Sequence, residues 1–343
     1  MQVIKDMCNF WSSLTKPIFA LAPLSGITDS PFRRICKGFG ADVVYSELSS
    51  AAAFAYQPET TLKSMRFDEV ERPYVVQLFG GDPDHFAVAV RCVSREIKPD
   101  GIDINFGCPV PKVFKRGAGA ALMTNLSLAR EVIQSVIENT PLPVSIKTRI
   151  SVKGVDLLSL LDYVSDLDIK ALMIHGRSYA QGFTGPNDIE TTRNARAHFK
   201  GVILANGGAK TAVHGLELLR QTEADGVGIG RGVLGNPWIF KHLKEARNGG
   251  YGGVRSITQS DDGKSVAVVP NEKPARQDVF STALEHSRLL IAFKGRRGIV
   301  EMRKHLCWYL HQIPGAKALR QKAVKINSLD DITDLLSGED VRN

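Results

Sequence analysis

The chain has 343 residues, of which 43% are hydrophobic and 23% are charged, and it contains 31 glycines. This balance is typical of a globular protein with one large and one small domain, and it excludes a disordered, collagen-like or coiled-coil chain. The formal net charge is +8, and an excess of this kind points to a polyanionic partner when it is concentrated in one segment.

Residues 1–17 are interpreted as an N-terminal extension, because they lack the uninterrupted apolar core of a signal peptide. No apolar run elsewhere approaches the roughly 20 residues of a membrane-spanning helix, so no membrane association is expected. The five cysteines are odd in number and form no C-x-x-C pair, which argues against a disulfide framework and a structural zinc. We therefore expect a cytoplasmic protein without a metal, and a monomer.

Residues 18–245 alternate short β-rich runs with amphipathic helical stretches. The predicted strands are Ile18–Pro23, Asp42–Ser46, Tyr74–Phe79, Gly101–Asn105, Val144–Arg149, Ala171–His175, Val202–Asn206 and Asp225–Ile229. The predicted helical stretches include Asp84–Ile97, Leu126–Glu138, Val155–Leu167 and Thr211–Gln221. Most strand runs are continuous and apolar, as in parallel strands buried on both faces. About eight β/α units predict an α/β fold of the TIM (β/α)8 barrel type.

A doubly wound sheet is the competing fold, and the position of the polar residues decides against it. Nearly every predicted strand ends in a group suited to binding or catalysis: Pro23, Glu47, Gln77, Asn105, Lys147, His175, Asn206 and Gly230. Such a rim at the carboxyl ends of the strands is where barrel enzymes carry their active sites.

Cys108 lies three residues after the predicted strand end at Asn105, in a Gly-Cys-Pro loop that is followed by Lys112, Lys115 and Arg116. A thiol with an ordinary pKa near about 8.5 can donate a proton at neutral pH, which makes Cys108 a candidate general acid. A nucleophilic role stays open, although no base is visibly paired with it.

Two glycine-rich loops follow the last two predicted strands. The first is Asn206-Gly207-Gly208, and the second runs from Gly226 to Trp238 with glycines at 230, 232 and 235. The second loop matches G-x-G-x-x-G but closes the last β/α unit, so a dinucleotide fold is rejected. In barrels these late loops bind phosphate, and flavin mononucleotide (FMN) is a frequent occupant. The alternative is that the glycines only serve tight turns.

Residues 246–275 are glycine- and serine-rich and predict a flexible linker, and residues 276–336 predict a small, all-helical C-terminal domain before a tail at 337–343. Between residues 276 and 325 there are 11 Lys and Arg against three acids, which equals the whole excess charge. Helical spacing gives one apolar stripe, which consists of Ile299, Met302, Leu306, Tyr309 and Ile313. Four cations lie on the opposite side and suit phosphate contacts: Arg296, Arg297, Arg303 and Lys304.

Several motifs occur in order along the chain and carry a family resemblance. They are APLSGITDSPFR, VQLFGGDP, DINFGCPVPKV, GAGAALM, SIKTR, IHGRS, ANGG, GIGRGVLGNPWIF and EMRKHLCWYL. With them the chain resembles the bacterial dihydrouridine synthases, most closely the B-type. The resemblance implies a barrel that binds FMN, a helical domain that helps to grip tRNA, and NADPH as the reductant.

The resemblance also implies roles for individual residues. Cys108 would be the general acid, Gln77 would bind the pyrimidine edge of the flavin, and Lys147 would stabilise negative charge on the reduced ring. The other implied flavin contacts are Pro23, Leu24 and Ser25 at the ring, His175 near the phosphate side, and Asn206, Gly207, Gly208, Gly230 and Arg231 around the phosphate. Leu24-Ser25 and Gly208 depart from the more usual residues of the family, and the linker is unusually long.

The expected function is the FMN-dependent reduction of uridine in tRNA to 5,6-dihydrouridine with NADPH, with a hydride added at C6 and a proton from Cys108 at C5. RNA contacts are expected from Lys112, Lys115, Arg116 and Arg177 together with the basic helical domain. The alternatives are a free-pyrimidine oxidoreductase similar to the dihydroorotate dehydrogenases, a synthase acting on ribosomal RNA, and an RNA-binding protein without catalysis.

Overall fold

The computed structural model describes residues 9–248, 257–259, 265–267, 274–311, 313 and 315–337. The strands up to residue 230 are β1 (Ile18–Leu21), β2 (Val43–Tyr45), β3 (Ser49–Ser50), β4 (Tyr74–Phe79), β5 (Gly101–Asn105), β6 (Val144–Arg149), β7 (Ser151–Val152), β8 (Val155–Asp156), β9 (Ile169–His175), β10 (Val202–Asn206) and β11 (Gly226–Ile229). Eight of them pair in parallel in the order β2-β1-β11-β10-β9-β6-β5-β4, and β2 also pairs with β4. The sheet is therefore a closed barrel, which confirms the predicted TIM fold and rules out the doubly wound sheet.

All eight predicted strands are present, and each end lies within two residues of the prediction. The helices are α1 (Ser30–Gly38), α2 (Ala53–Tyr56), α3 (Pro58–Ser64), α4 (Pro83–Glu96), α5 (Pro111–Phe114), α6 (Leu126–Asn139), α7 (Leu157–Tyr163), α8 (Ile189–His198), α9 (Ala212–Thr222), α10 (Trp238–Asn248), α11 (Arg276–Lys294), α12 (Arg296–His311), α13 (Lys317–Ala323) and α14 (Leu329–Ser337). Three of the four predicted helical stretches match closely.

The predicted helix Val155–Leu167 is wrong at both ends. Its first two residues form β8, which pairs antiparallel with β7 in a short hairpin. The helix begins only after Asp156, whose carboxylate accepts a hydrogen bond of 2.8 Å from the Ser159 amide and so caps the first turn. It ends at Tyr163, four residues before the predicted end.

The chain divides into two compact units. The first comprises residues 1–29, 41–209 and 214–230, and the second comprises residues 30–40, 210–213 and 231–343. This division differs from the predicted one, in which residues 18–245 form the barrel domain, because α1 and α10 fall in the second unit. The predicted domain boundaries stay predictions. Most of the predicted linker lies outside the described residues, apart from its ends and the antiparallel pair β12 (Ile257–Gln259) and β13 (Ser265–Ala267). The predicted tail is described only at Ser337.

The second unit has its own apolar core, to which the predicted stripe on α12 contributes. Met302, Leu306 and Tyr309 are buried, and Ile299 and Ile313 pack against the same cluster while remaining partly exposed. The helical period of the apolar residues therefore located this face of α12 correctly.

The lower end of the barrel interior is apolar and is packed around Trp11. This side chain lies in a 3₁₀ turn, Phe10–Ser13, and is only 1% exposed. It belongs to one cluster with inward-facing residues of several strands, namely Ile18, Ala20, Val43, Tyr45, Val75, Ala171, Met173, Val202 and Leu204. The predicted N-terminal extension thus supplies a core residue of the barrel.

We expect Trp11→Ala to lower the free energy of unfolding by about 3–5 kcal/mol, because it leaves a cavity at the base of the barrel. Trp11→Phe should cost less, since the Trp11 indole N–H has no hydrogen-bond partner to lose. Urea denaturation followed by circular dichroism measures both. Ser12→Ala, at an exposed neighbour, is the control, and a Trp11→Ala loss no larger than that of Ser12→Ala would contradict this packing.

Candidate active site

The polar residues of the barrel interior collect at the carboxyl ends of adjacent strands. The strand register aligns Gln77 with Asp103 and Asn105 with Lys147, and it places His175 between Arg149 and Asn206. These side chains lie above the apolar layers around Trp11, so the interior changes from apolar to polar along the barrel axis. The upper rim is therefore the candidate active site, as the sequence predicts.

A chain of hydrogen bonds connects a buried carboxylate to the Cys108 loop. Gln77 Nε2 donates to Asp103 Oδ2 at 2.7 Å, and Asn105 Nδ2 donates to Gln77 Oε1 at 3.0 Å. Asn105 Oδ1 then accepts from the main-chain N–H groups of Gly107 and Cys108 at 3.1 and 2.9 Å. The loop that carries the thiol is thus held by a strand-end side chain.

Lys147 reaches across the interior of the barrel. Its Nζ donates to Asn206 Oδ1 at 3.3 Å, although β9 lies between the strands that carry the two residues. Burial lowers the pKa of Lys147 to about 8, and the nearby charge of Asp103 opposes this shift. Burial also raises the pKa of Asp103 to about 6, against its hydrogen bonds from Gln77 and Ser145. The rim therefore carries a partly buried cation whose pKa of about 8 lies close to neutral pH.

The loop after β10 forms a cradle with two unsatisfied polar atoms beside it. His175 Nδ1 and Asn187 Oδ1 are buried and have no hydrogen-bond partner. Gly207 has a φ of 114°, and a Cβ there would lie 2.8 Å from Asn187 Oδ1 and 3.3 Å from Arg177 Nη1. Only glycine fits such a position without strain. The cradle thus brings an imidazole and a guanidinium group together, and both can donate hydrogen bonds to an anionic ligand.

Arg149 joins two loops of the rim. It is almost fully buried, and its guanidinium donates at 2.9 Å to the carbonyl oxygens of Gly107, Ser178 and Gly182. The guanidinium also lies over the aromatic ring of Phe183, with 5.7 Å between the guanidinium carbon and the ring centre. The loops after β5 and β9 are therefore tied together by one side chain.

The loop after β1, which carries Pro23, Leu24 and Ser25, is braced at its base. The Leu24 main-chain N–H donates to Thr28 Oγ1 at 3.1 Å. The Gly26 main-chain N–H donates to Glu47 Oε2 at 2.5 Å. Pro23 and Leu24 are half-buried, and Ser25 is exposed. Gly230 and Arg231 follow β11 directly, and Arg231 is exposed.

The cations after Cys108 lie on an exposed surface that also includes the β7–β8 hairpin. Lys112, Lys115 and Arg116 are exposed, and the hairpin tip places Lys153 Nζ 4.7 Å from the centre of the Phe114 ring. That ring also packs against Tyr179, with ring centres 4.7 Å apart. Lys153 was not predicted, because only the fold brings the hairpin to Phe114.

The four predicted cations of α12 differ in their surroundings. Arg296 and Arg297 are exposed, and Arg297 pairs with Glu301 at 2.7 Å. Arg303 and Lys304 are half-buried. Arg303 donates to the carbonyl oxygen of Ile326 at 3.0 and 2.7 Å, so the expectation that it faces outward is corrected. Its main-chain acceptor lies 23 residues away and is invisible to helical spacing.

One predicted site residue acquires different neighbours from those expected. Arg177, predicted to contact RNA, places its guanidinium beside Gly207 and Gly208 and donates to the Gly185 carbonyl oxygen at 2.7 Å. Asp103, Asn187 and Arg149 belong to the site but were not predicted as site residues.

Among the described residues, no group of three or more His, Cys, Asp or Glu side chains is arranged to hold a metal. No described helix meets the length and hydropathy needed to cross a membrane.

Comparisons with known proteins agree on one family. A family described as "Dihydrouridine synthase (Dus)" matches residues 20–342. The chain is 32% identical to a "Probable tRNA-dihydrouridine synthase" of Mycobacterium tuberculosis, over 94% of this chain and 82% of that protein. It is 31% identical to "tRNA-dihydrouridine synthase B" of Pasteurella multocida, over 88% of this chain and 86% of that protein.

Solved structures show the same barrel at low sequence identity. An old yellow enzyme homologue of Zymomonas mobilis has a TM-score of 0.50 and 13% identity, over 71% of this chain and 91% of that one. Histamine dehydrogenase of Rhizobium sp. 4-9 has a TM-score of 0.52 and 11% identity, over 79% of this chain and 48% of that one. These similarities support the fold.

We expect His175→Gln to reduce the acid sensitivity of the protein. Burial, reinforced by the charges of Lys147, Arg149 and Arg177, lowers the pKa of His175 to about 3. Between that value and its ordinary pKa near about 6.5, folding keeps the imidazole neutral while the unfolded chain protonates it, so stability falls with falling pH. On going from pH 7.5 to 4.5, the variant should gain about 1–3 kcal/mol relative to the wild type.

Urea denaturation of both proteins at the two pH values measures this difference. Asp103 titrates in both proteins, so its effect cancels in the comparison. A stability difference that does not change with pH would show that His175 is not held neutral by the fold.

Proposed function

The chain belongs to the dihydrouridine synthase family, and from this premise we propose that it reduces uridine in tRNA to 5,6-dihydrouridine with FMN and NADPH. The observation that carries the proposal is the arrangement of the rim, where the Cys108 loop is fixed by Asn105 next to a partly buried cation, Lys147, and an anion cradle at Gly207. These groups match the needs of a proton donor, a charge-stabilising cation and a phosphate site.

The cradle supports FMN because one of its possible donors lacks a partner. His175 Nδ1 is buried and unsatisfied, a ring nitrogen that carries a proton can donate to a phosphate oxygen, and such an atom is costly unless a ligand or water pairs with it. The residues assigned to the phosphate side are His175, Asn206, Gly207, Gly208, Gly230 and Arg231. Arg177 joins this group in our proposal, because its guanidinium lies beside Gly207.

The ring of FMN is assigned to other residues of the same rim. Pro23, Leu24 and Ser25 would line the ring, and Gln77 would bind its pyrimidine edge. Lys147 would offset negative charge on the ring, since a cation in a partly desolvated site stabilises charge more strongly than one in water.

When bound and reduced by NADPH, FMN would supply the hydride that adds to C6 of the uracil ring. The addition leaves an enolate whose C5 must take a proton. Cys108 would hold that proton at Sγ, and the main chain of its loop, held by Asn105, limits where the thiol can lie. Arg149 maintains the same loop from the other side through the Gly107 carbonyl oxygen. The thiolate that remains is near Lys147 and Arg149. Its negative charge raises the pKa of both residues, whereas burial lowers these pKa values by more.

The exposed cations near Cys108 are assigned to the RNA backbone. A uridine must leave its stack to reach the rim, at a cost of a few kcal/mol, and phosphate contacts offset that cost. Lys112, Lys115 and Arg116 belong to this surface, and Lys153 extends it. The exposed Arg296 and Arg297 and the half-buried Lys304 stay candidates in the helical region, while Arg303 already binds the main chain. A cytoplasmic location and a monomeric state remain predictions.

We expect Cys108→Ala to retain FMN and its reduction by NADPH but to lose dihydrouridine formation by about 10²–10⁴-fold, the usual worth of a general acid. The measurements are the flavin absorbance of the purified protein, NADPH oxidation, and dihydrouridine in tRNA transcribed without modification. Cys92→Ala, at a partly exposed cysteine on α4, is the matched control. Wild-type dihydrouridine formation by Cys108→Ala would remove the thiol from the mechanism, and a colourless wild-type protein that FMN cannot reconstitute would refute the flavin.

We expect Lys115→Gln combined with Lys153→Gln to weaken tRNA binding and to flatten its salt dependence by about one to two units in log K against log salt. Each lost phosphate contact removes a counterion-release contribution of about 0.7–0.9. Filter binding between low and moderate salt measures the slope.

The matched control is Lys98→Gln combined with Lys200→Gln. These exposed lysines precede β5 and β10, so they lie at the opposite end of the barrel while the net charge changes equally. Equal salt slopes for the two double variants would mean that only net charge matters and that the surface beside Cys108 does not contact RNA.

A further inference from the structure

The hydrogen-bond chain between Asp103 and the Cys108 loop has donors and acceptors that are fixed at both ends. An ionised carboxylate can only accept hydrogen bonds, and a main-chain N–H can only donate. Between these ends stand two side-chain amides, Gln77 and Asn105, each of which could face either way on its own. With Asp103 accepting from Gln77 Nε2, the oxygen of Gln77 must face Asn105, and the oxygen of Asn105 must then face the loop.

The burial of the three side chains makes this order energetically important. Asp103 is 0% exposed, Gln77 1% and Asn105 7%, so water cannot easily replace a mismatched partner. A reversed amide in the middle of the chain would put two donors or two acceptors against each other. Leaving a buried polar group unpaired costs about 1–3 kcal/mol. The carboxylate therefore selects one orientation for both amides.

The loop end of the chain depends on this orientation. The N–H groups of Gly107 and Cys108 donate to the Asn105 side chain and not to a neighbouring strand, whereas the preceding residue, Phe106, donates to the main-chain oxygen of Lys147 at 2.7 Å. The strand ladder thus ends just before the loop. At Gly107 and Cys108, the side-chain oxygen Oδ1 of Asn105 replaces the strand ladder as the hydrogen-bond acceptor.

We propose that Asp103 is a positioning residue that sets the orientation of the Gln77 and Asn105 amides and thereby holds the main chain of Cys108 in place. The consequence for chemistry rests on the proposed function, since only there is Cys108 the proton donor. The structural part of the proposal is independent of RNA and of turnover.

Two features of the site separate this role from simple core packing. Ser145 Oγ donates at 2.7 Å to Oδ1 of Asp103, which is the oxygen that Gln77 does not use. Removing Ser145 Oγ therefore perturbs the same carboxylate but leaves the chain to Cys108 connected. Asparagine at position 103 keeps an acceptor oxygen of the same shape, and its amide nitrogen can donate to Ser145 Oγ, which is able to accept.

The test is backbone amide hydrogen exchange, measured by mass spectrometry on the flavin-containing protein. Asp103→Ala should make the Gly107 and Cys108 amides exchange about fivefold to tenfold faster, as expected for the loss of one well-formed hydrogen bond. The Phe106 amide in the same peptide should not change, because its partner is the main chain of β6. Ser145→Ala and Asp103→Asn should both exchange close to the wild type.

Unchanged exchange at Gly107 and Cys108 in Asp103→Ala would overturn the proposal, and so would an Asp103→Asn variant that exchanges as fast as Asp103→Ala. If Asp103→Ala does not fold, which Phe106 and the β5 amides would reveal, Gln77→Met breaks the next link and should raise exchange at the same two amides. The two proposals can fail separately. If Asp103→Ala accelerates exchange at Gly107 and Cys108 but the wild-type protein forms no dihydrouridine, the positioning role is supported and the proposed function is refuted.

Discussion

The burial of charge inside a closed barrel is the constraint on which the site depends. Eight parallel strands leave an interior that side chains fill, so each polar group placed there needs a partner. Lys147 and Asp103 are two charged groups that face this problem, and burial lowers the pKa of Lys147 and raises the pKa of Asp103, which favours the neutral form of each. Their mutual attraction opposes both shifts. The amides of Gln77, Asn105 and Asn206 then pair with the two charges or with each other, and this requirement fixes the geometry of the rim.

The apolar base of the barrel and its polar rim support each other. Trp11 and the side chains packed around it exclude water from below, which lowers the effective polarity around the groups above. The same dryness makes a neutral imidazole at His175 favourable and leaves its Nδ1 atom available to a ligand. Stability at the base and reactivity at the rim are consequences of one packed interior.

The barrel strands could be predicted from the sequence because they are short, apolar and buried on both faces, and the apolar stripe of α12 could be predicted from its period. Other features depend on distant parts of the chain. The β7–β8 hairpin replaces the first residues of a predicted helix, and Arg303 finds its acceptor at Ile326 instead of facing outward. In the sequence IDINFG, nothing distinguishes Asp103 from the other strand residues. Its hydrogen bond with Gln77 can be recognised only from the strand register, which places the two residues side by side. Local periodicity predicts elements, whereas partners across strands require the fold.

The contacts of Arg149 have a mechanical consequence for how the rim can move. Because one guanidinium holds carbonyl oxygens of both the Cys108 loop and the loop after β9, a shift of either loop must break a hydrogen bond to Arg149 or pull Arg149 against the other loop. The two loops therefore form one stiff wall of the mouth. The loop after β1 is held by a separate set of hydrogen bonds, through Thr28 and Glu47. The hydrogen bonds of Arg149 therefore couple the thiol-bearing loop to the loop after β9 and not to the loop after β1.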